Sequence, residues 1–289
     1  MNIKIKIIIF STLSVLFLCL TACSSKTSQT SQNTAKVAKK NISAEADTYP
    51  KENFKAPFKA IGQGVPVLMY HSVSTDQGNP INPIIISPNL LEQEFQYIKD
   101  NGYTPITLDD LYNYLVNKTN IPSKSIVLTF DDGYENNYTT LFPLLKKYGF
   151  RATLFIITSY IDKNPNYLTS KQLKEMDSYG VDIESHTVTH PYLNKLTSTE
   201  QMAQLTDSKA YLEKLLNKKI NYISYPYGAY NKVTIADVQK AGYKMALSTD
   251  GRWAMKKNGL FSLDRVYISS QFSLKIFKER LTNPNYPFL

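Results

Sequence analysis

The chain contains a short apolar stretch that ends in two adjacent carboxylates and a glycine: Ile126-Val127-Leu128-Thr129-Phe130-Asp131-Asp132-Gly133. The apolar and β-branched residues predict a buried β-strand. Adjacent carboxylates at the end of such a strand repel each other unless a cation or a shared proton offsets the repulsion. The stretch therefore predicts a strand whose end carries chemistry, with different roles for Asp131 and Asp132. A solvated Asp-Asp-Gly turn is the alternative.

Strands and helices alternate on both sides of this stretch. Apolar runs predict strands over residues 65–70, 152–157, 181–185, 220–225, 244–248 and 265–268. Helical patterns separate them, two of which begin at the capping boxes Thr169…Gln172 and Ser198…Gln201. Repeated strand–helix units predict an α/β fold, with a parallel sheet and outer helices. About seven strands in one domain, residues 61–289, favour a barrel over an open sheet.

The N-terminal residues form a separate region. Lys4 and Lys6 precede an apolar run over residues 7–20, which is shorter than the roughly 20 residues of a membrane span. The run leads into Leu20-Thr21-Ala22-Cys23, which resembles a bacterial lipobox. We expect residues 1–22 to be a lipoprotein signal peptide and Cys23 to carry the lipid that holds the protein on the outer face of the cell membrane. An uncleaved N-terminal anchor is the alternative.

Residues 23–60 predict a flexible tether, because Ser24 to Asp47 contains no aromatic residue and no leucine. Of the two cysteines, Cys19 lies in the predicted signal peptide and Cys23 is the predicted lipid site, so the mature domain has no thiol for a disulfide or a metal. The net charge of +9 is scattered and shows no basic block typical of nucleic-acid binding. The charge favours attraction to an anionic surface, or simply indicates a basic secreted protein.

All three histidines lie at or just beyond the ends of predicted strands. His186 and His190 are four residues apart, a spacing that puts them on one face of a helical turn and lets them chelate one ion. With Asp132 they form a two-histidine, one-carboxylate set that leaves positions open for water and substrate. Two ordinary surface histidines are the alternative. His71 ends the first strand, on the rim that carries the active site of a β/α barrel.

Three further features are candidates for the same rim. Tyr225-Pro226-Tyr227-Gly228 follows a predicted strand, and such a turn can direct the backbone N–H of Tyr227 inward as an oxyanion donor. Arg265 begins the last predicted strand and could reach a carboxylate, although a surface ion pair is the commoner arrangement. Trp253, the only tryptophan, is either a sugar-stacking surface or a core residue, and the sequence favours neither.

Taken together, the Thr129–Gly133, His186–His190 and Tyr225–Gly228 motifs resemble the NodB-type polysaccharide deacetylases, carbohydrate esterase family 4, over residues 64–270. The resemblance implies a distorted (β/α)7 barrel that removes acetyl groups from sugars, usually N-acetylglucosamine. It implies one divalent metal ion, zinc by default, with cobalt, nickel, manganese or iron also accepted. The resemblance further implies Asp132, His186 and His190 as metal ligands, Asp131 as catalytic base and Tyr227 as oxyanion donor.

Two positions depart from the common pattern of that family. Ser224 lies where the family usually has an arginine, and no histidine follows His190 to serve as the general acid. Leu68-Met69-Tyr70-His71 instead resembles a branch in which that element lies on the N-terminal side. The branch includes poly-N-acetylglucosamine deacetylases of biofilm exopolysaccharide systems. This second resemblance implies His71 as general acid and Arg265 as the residue that orients Asp131.

We therefore expect a surface-anchored, monomeric deacetylase of an N-acetylglucosamine polymer, with no nucleic-acid partner. An exopolysaccharide such as poly-N-acetylglucosamine is favoured over peptidoglycan as the substrate. The alternatives are an esterase of acetylated plant glycans and a non-catalytic glycan-binding lipoprotein. The intact set of acidic and histidine side chains argues against the last, because binding alone does not require a base.

Overall fold

The computed structural model describes residues 54–287. The predicted signal peptide, the lipobox with Cys23, and residues 23–53 of the predicted tether lie outside this range. Within residues 54–287, no helix combines the length and the apolar character needed to cross a membrane.

Parallel strands build the main sheet. Its order is β10-β1-β5-β6-β7-β8-β9, and β4 pairs with the beginning of β5. A separate parallel pair is formed by β2 and β3. In chain order the strands are β1 Val67–Tyr70, β2 Ser72–Val73, β3 Ile85–Ile86, β4 Thr104–Pro105, β5 Ser125–Phe130, β6 Thr153–Ile156, β7 Asp182–Ser185, β8 Tyr222–Ser224, β9 Met245–Leu247 and β10 Val266–Tyr267.

Helices lie between the strands along the chain, and the last helix follows β10. They are α1 Pro88–Asp100, α2 Leu108–Asn117, α3 Phe142–Tyr148, α4 Ser170–Tyr179, α5 Ser198–Leu216, α6 Lys232–Lys240 and α7 Leu274–Thr282. A single π-helical segment, Asn137–Leu141, precedes α3. The predicted capping box at Ser198…Gln201 is wrong by one residue. The Thr197 hydroxyl accepts from the Glu200 N–H, and the Glu200 carboxylate accepts from the Thr197 N–H at 2.8 Å.

The sheet curls until its two end strands are nearly joined. The Ala246 N–H in β9 donates to the Leu260 carbonyl at 2.9 Å, and the Leu263 N–H donates back to the Ala246 carbonyl at 3.1 Å. Residues 260–263 lead directly into β10, the strand at one edge of the sheet. They pair with β9, the strand at the other edge. This pairing confirms the expected distorted (β/α)7 barrel.

Buried apolar residues lie on both faces of the curled sheet, because successive side chains of a strand point to opposite sides. One cluster joins the sheet to the outer helices and includes Leu68, Leu128 and Phe130. The other fills the barrel and includes Val67 and Val127, which directly precede Leu68 and Leu128 in their strands. The alternation places Thr129, Asp131, Ser224 and Arg265 on the barrel side.

Residues 57–60, assigned by composition to the tether, belong to the folded domain. The Lys59 N–H donates to the Ile121 carbonyl at 2.9 Å, and the Ser123 N–H donates to the Pro57 carbonyl at 2.9 Å. These partners come just before β5 begins, so the chain joins the domain at the amino ends of the strands. The predicted boundary after Ala60 is therefore too late, because residues 57–60 satisfy backbone groups of the segment before β5.

Candidate active site

The carboxyl ends of three strands of the main sheet bring the predicted acidic and histidine residues together. His71 follows β1, Asp131 and Asp132 follow β5, and His186 follows β7. His190 lies four residues further along the loop after β7. In a parallel β/α barrel this rim is where side chains from several strands converge on one site.

Asp132, His186 and His190 form the tightest cluster on the rim. One ligand atom from each residue lies within 4.8 Å of the other two. Oδ1 of Asp132 is 3.4 Å from Nε2 of both histidines, and the two Nε2 atoms are 3.1 Å apart. Tetrahedral ligands that each lie about 2.0–2.1 Å from a zinc ion are roughly 3.3 Å from one another. The spacing of the three atoms matches that requirement.

The orientation of His186 favours the same interpretation. Its Nδ1 lies 2.8 Å from the Ser224 carbonyl, which can only accept a hydrogen bond. Nδ1 therefore carries the proton, and the lone pair of Nε2 points toward Asp132 and His190. A backbone carbonyl that fixes the histidine tautomer in this way is typical of metal-binding histidines.

The segment from His186 to His190 is an irregular loop, so the expected helical turn is wrong. Thr187 and His190 both have positive φ angles, 68° and 61°. The His190 N–H donates to the Thr187 hydroxyl at 3.1 Å, which holds the loop closed. Two left-handed residues turn the chain back on itself, so the two imidazoles meet without a helix. Such backbone strain in non-glycine residues is concentrated at functional sites.

The protonation and hydrogen bonding of the cluster fit a divalent cation. Oδ1 of Asp132 is buried and has no hydrogen-bond partner among the described residues. Burial opposes ionisation of Asp132, but the neighbouring His186 outweighs it and lowers the pKa of this carboxyl, so the carboxylate is charged. Burial, helped by the neighbouring His186, lowers the pKa of His190 to about 4, so that ring is neutral. A buried, unpartnered carboxylate oxygen beside two imidazole nitrogens is the donor set of a metal site.

Asp131 is bound by Arg265 inside the barrel. Nη1 of Arg265 is 2.8 Å from Oδ1 of Asp131, and Nη2 is 2.7 Å from Oδ2. Arg265 is fully buried and Asp131 almost so. Burial opposes ionisation of Asp131, but the Arg265 guanidinium outweighs it and holds the pKa of this carboxyl well below its usual range. The surface ion pair considered for Arg265 is therefore wrong.

Ser224 connects the two members of this ion pair. Its hydroxyl donates to Oδ2 of Asp131 at 3.1 Å and accepts from Nη2 of Arg265 at 2.7 Å. The small serine leaves room for the guanidinium that arrives from the start of β10. Thr129, two residues before Asp131, accepts from Nη1 of Arg265 at 3.1 Å. The sequence predicts neither contact, because it marks Ser224 only as the position where the family usually has an arginine.

His71 lies on the same rim, with its Nδ1 buried and without a hydrogen-bond partner among residues 54–287. The Asn137 side chain donates to the His71 carbonyl at 2.9 Å, which anchors the backbone at the end of β1. Burial lowers the pKa of His71, and the charges of Asp131 and Asp132 act in the opposite direction. The imidazole thus faces both carboxylates and keeps a ring nitrogen available for proton transfer.

Tyr227 lies beside the metal-ligand cluster in the turn Pro226–Gly228. Its φ is 59°, and its ring centroid is 4.5 Å from that of His190. The next residue must be glycine, because a Cβ at Gly228 would lie 2.1 Å from Oγ1 of Thr249. The tight contact with Thr249 holds the backbone of Tyr227 next to His190, where the sequence placed it.

Trp253 is not part of this rim. Its neighbour Ala254 pairs with Val65 just before β1 begins, at the opposite end of the strand from His71. The indole N–H donates to the Arg280 carbonyl at 2.8 Å, and the ring packs against the core. Of the two roles considered for Trp253, the structure supports the core residue.

The sequence reasoning missed the tyrosines that surround the cluster. Tyr192 stacks on Tyr227, and Tyr167 stacks on Tyr134, two residues after Asp132. The signal for these residues was the abundance of tyrosine, 21 in the chain, together with the position of Tyr192 two residues after His190. Composition alone does not say which tyrosines meet, because they come from different loops.

Comparisons with known proteins place the chain among polysaccharide deacetylases. The family model described as polysaccharide deacetylase matches residues 118–246. The Bacillus subtilis (strain 168) protein named "Putative polysaccharide deacetylase YxkH" is 36% identical over 213 residues, which cover 74% of each chain. The poly-beta-1,6-N-acetyl-D-glucosamine N-deacetylase of Staphylococcus aureus (strain MRSA252) is 29% identical over 197 residues, 64% of this chain and 68% of that one. Among solved structures, the Streptococcus pyogenes deacetylase PplD in complex with acetate has a TM-score of 0.73 at 34% identity, covering 76% of this chain and 99% of that chain.

Proposed function

The chain belongs to the polysaccharide deacetylase family, and we propose that it is a metal-dependent N-deacetylase of an N-acetylglucosamine polymer. One observation carries the proposal: the Asp132, His186 and His190 cluster lies directly beside a second, charged carboxylate, Asp131. A glycan-binding protein has no need for that second group. Hydrolysis needs it, because an attacking water must lose a proton.

Poly-β-1,6-N-acetylglucosamine is the favoured substrate, and peptidoglycan is the next candidate. The Staphylococcus aureus relative carries the first of these polymers in its name. The position of His71 at the end of β1, with no histidine after His190, supports the same branch of the family. An esterase of acetylated glycans is a weaker proposal, since an ester has less need of a proton donor such as His71.

Asp132, His186 and His190 would hold one divalent ion, with zinc the first choice and cobalt, nickel, manganese or iron the others. Such an ion supplies Lewis-acid chemistry: it polarises the acetyl carbonyl and makes a nearby water more acidic. Asp131 remains outside this set of ligands, because both of its oxygens are held by Arg265.

Asp131 takes the proton from the attacking water. A carboxylate has about four lone-pair positions, two on each oxygen. Oδ2 accepts hydrogen bonds from Arg265 and Ser224, whereas Oδ1 accepts from Arg265 alone. Oδ1 therefore keeps a lone pair for the water. Arg265 keeps Asp131 ionised and fixes its direction, which is the role of a positioning residue.

His71 gives a proton to the departing amine. An amide nitrogen leaves as a neutral amine only when it is protonated, so a general acid is required at this step. His71 faces the same carboxylates from the neighbouring strand, on the far side of Asp131 from the β7 loop. The backbone N–H of Tyr227 donates to the negative oxygen that develops on the acetyl group.

The protein is held at the outer face of the cell membrane. The support is in residues 1–60 of the sequence: a short apolar run, the lipobox ending at Cys23, and a polar tether. Replacing Cys23 by Ala should release the protein from the membrane fraction or block its processing. Unchanged retention would mean that the apolar run is an uncleaved anchor.

The test of the reaction is the release of free amines by purified, zinc-loaded protein. The panel contains β-1,6-linked N-acetylglucosamine oligomers, peptidoglycan and acetylated xylan, with Asp131→Asn as the inactive control. Amine release from the oligomers that is absent in the control supports the proposal. Acetate release from xylan without amine release favours the esterase. Glycan binding without release of either product overturns a catalytic role.

A further inference from the structure

Two exposed tyrosines extend from the metal-ligand cluster along the rim. Tyr192 is 50% exposed and Tyr227 is 54% exposed. Tyr192 lies two residues after His190, and Tyr227 lies in the turn Pro226–Gly228. Their rings are stacked with centroids 4.0 Å apart and an angle of 9° between planes. The ring of Tyr227 also contacts that of His190. The three rings therefore form a row that leads from a metal ligand outward to Tyr192.

Packing of the core does not explain this arrangement. Both tyrosines remain about half exposed, whereas Tyr225, the first residue of the Tyr225–Gly228 motif, is fully buried. Tyr227 also holds a left-handed backbone conformation, which is unfavourable for an aromatic residue. Large exposed apolar surface beside a site marks a ligand-binding surface more often than a packing defect.

The chemistry of the pair fits a sugar ring. Tyrosine offers a flat apolar face with a polar hydroxyl at its edge. A pyranose ring offers the complement, a face of C–H groups with hydroxyls around its rim. Tyr192 covers one face of Tyr227, and His190 makes an edge contact with the Tyr227 ring at 65° between planes, so a ligand would stack on the outer face of Tyr192.

We propose that Tyr192, backed by Tyr227, is a platform for a sugar residue that flanks the one being deacetylated. This inference rests on the proposed function, because it assigns a polymer to the same site. Tyr192 stacks on Tyr227, which in turn contacts His190, so a sugar on the outer face of Tyr192 is not the reacting residue. The platform makes the enzyme prefer chains long enough to reach both places.

The test compares Tyr192→Ala with Tyr192→Phe on β-1,6-linked N-acetylglucosamine dimer and pentamer and on an aryl acetate. Tyr192→Ala should raise the KM for the pentamer about tenfold, the effect of losing roughly 60 Å² of apolar contact. Its effect on the dimer and the aryl acetate should be much smaller. Tyr192→Phe keeps the ring face and should retain most of the affinity. Tyr211→Ala is the matched control, because Tyr211 is 43% exposed but lies within α5, away from the rim loops.

A loss that is equal for all three substrates would overturn the platform, since it would mean that Tyr192 supports the position of His190. No loss with the pentamer would also overturn it. Metal content and thermal stability of each variant identify a damaged site. Calorimetric binding of the pentamer to Asp131→Asn, with and without Tyr192→Ala, tests the platform separately from turnover. If the wild-type protein releases no amine, the proposed function fails. If pentamer binding does not depend on Tyr192, the platform fails.

Discussion

Arg265 binds both carboxylate oxygens of Asp131, although the two residues are 134 positions apart in sequence. The two residues lie at opposite ends of their strands: Asp131 follows the carboxyl end of β5, whereas Arg265 precedes the amino end of β10. Their pairing therefore links the closure of the barrel to the ionisation of Asp131, the proposed catalytic base. A change at Arg265 should affect both stability and activity.

Arg265→Met should destabilise the fold by about 3–5 kcal/mol, because it leaves the Asp131 charge buried without a partner. The Asp131→Asn, Arg265→Met double variant should recover a large part of that loss, since no buried charge remains. Urea unfolding of the four proteins measures the coupling between the two residues. Strictly additive losses would mean that the ion pair contributes nothing beyond its separate side chains.

Asp132→Ala and His186→Ala should each abolish tight binding of zinc as well as deacetylation. Asp131→Asn should keep the metal and lose activity, because Asp131 is held by Arg265 and not by the cluster. Metal content after dialysis, with calorimetric titration of the metal-free proteins, separates the two groups of variants. Equal metal loss in all three would remove the distinction between ligand and base.

Binding of the metal should also stabilise the fold. At a free zinc concentration of about 100 times the dissociation constant, the gain is about 2.7 kcal/mol. The gain should appear as a rise in the unfolding temperature of the wild-type protein on zinc addition. His186→Ala should not respond, and a rise of the same size in that variant would place the ion elsewhere.

His71→Ala should lose about 10²–10⁴-fold in deacetylation of N-acetylglucosamine oligomers, the usual contribution of a general acid. It should retain far more of its hydrolysis of an aryl acetate, because an activated phenolate leaves without protonation. Steady-state kinetics on both substrates, with metal content as the control, gives the comparison. Equal losses on the two substrates would assign His71 to positioning and leave the proton donor elsewhere.

Glu94 should make stability depend on pH. This carboxyl on α1 is buried and accepts a hydrogen bond from the Tyr70 hydroxyl at 2.8 Å. Burial raises its pKa to about 8 from an ordinary value of 4.5, and the hydrogen bond from Tyr70 only partly offsets this. The folded protein therefore holds a proton that the unfolded chain releases above pH 4.5. The stability due to Glu94 is complete below that pH and is lost as the pH rises through about 8.

Relative to Glu94→Gln, the wild-type protein should lose stability between pH 4.5 and about 8. The steepest expected slope is about 1.4 kcal/mol per pH unit. Urea unfolding of both proteins at several pH values across this window measures the difference. Parallel curves would mean that Glu94 titrates at an ordinary pKa in the folded state.

A chain that begins at residue 54 should be fully stable, whereas one that begins at residue 65 should be destabilised by about 1–3 kcal/mol. The longer chain keeps the Ala60 and Gln63 carbonyls, which accept from the Tyr114 hydroxyl at 2.6 and 2.9 Å. The shorter chain leaves that hydroxyl without its acceptors. Tyr114→Phe should therefore reduce the cost of the truncation. An equal cost in both backgrounds would assign the loss to other contacts of residues 57–64.

The sequence predicts those parts of the site that lie at strand ends. Asp131, Asp132, His71 and His186 are each next to an apolar run, and the ends of parallel strands meet on one rim. The contact between Arg265 and Asp131 is different in kind. It depends on the closure of the barrel, so the resemblance to a family branch could suggest it but the residue pattern could not.

The errors in secondary structure have local causes. Thr197…Glu200 and Ser198…Gln201 both match a capping box, and the sequence does not say which pair forms. Helix α2 was missed because its box, Thr107…Asp110, has aspartate where the pattern expects Glu or Gln. Strands β2, β3 and β4 were missed because two residues are too few to show a period. The stacking of Tyr192 on Tyr227 joins two loops and leaves no periodic pattern.

The chain joins the domain next to Ile121 and Ser123, at the end of the barrel opposite the metal-ligand cluster. A molecule immobilised through residues before Pro57 is therefore held at the end opposite the proposed active site. The predicted tether lets the domain turn, but in every orientation the attachment stays clear of the rim where the proposed substrate would bind.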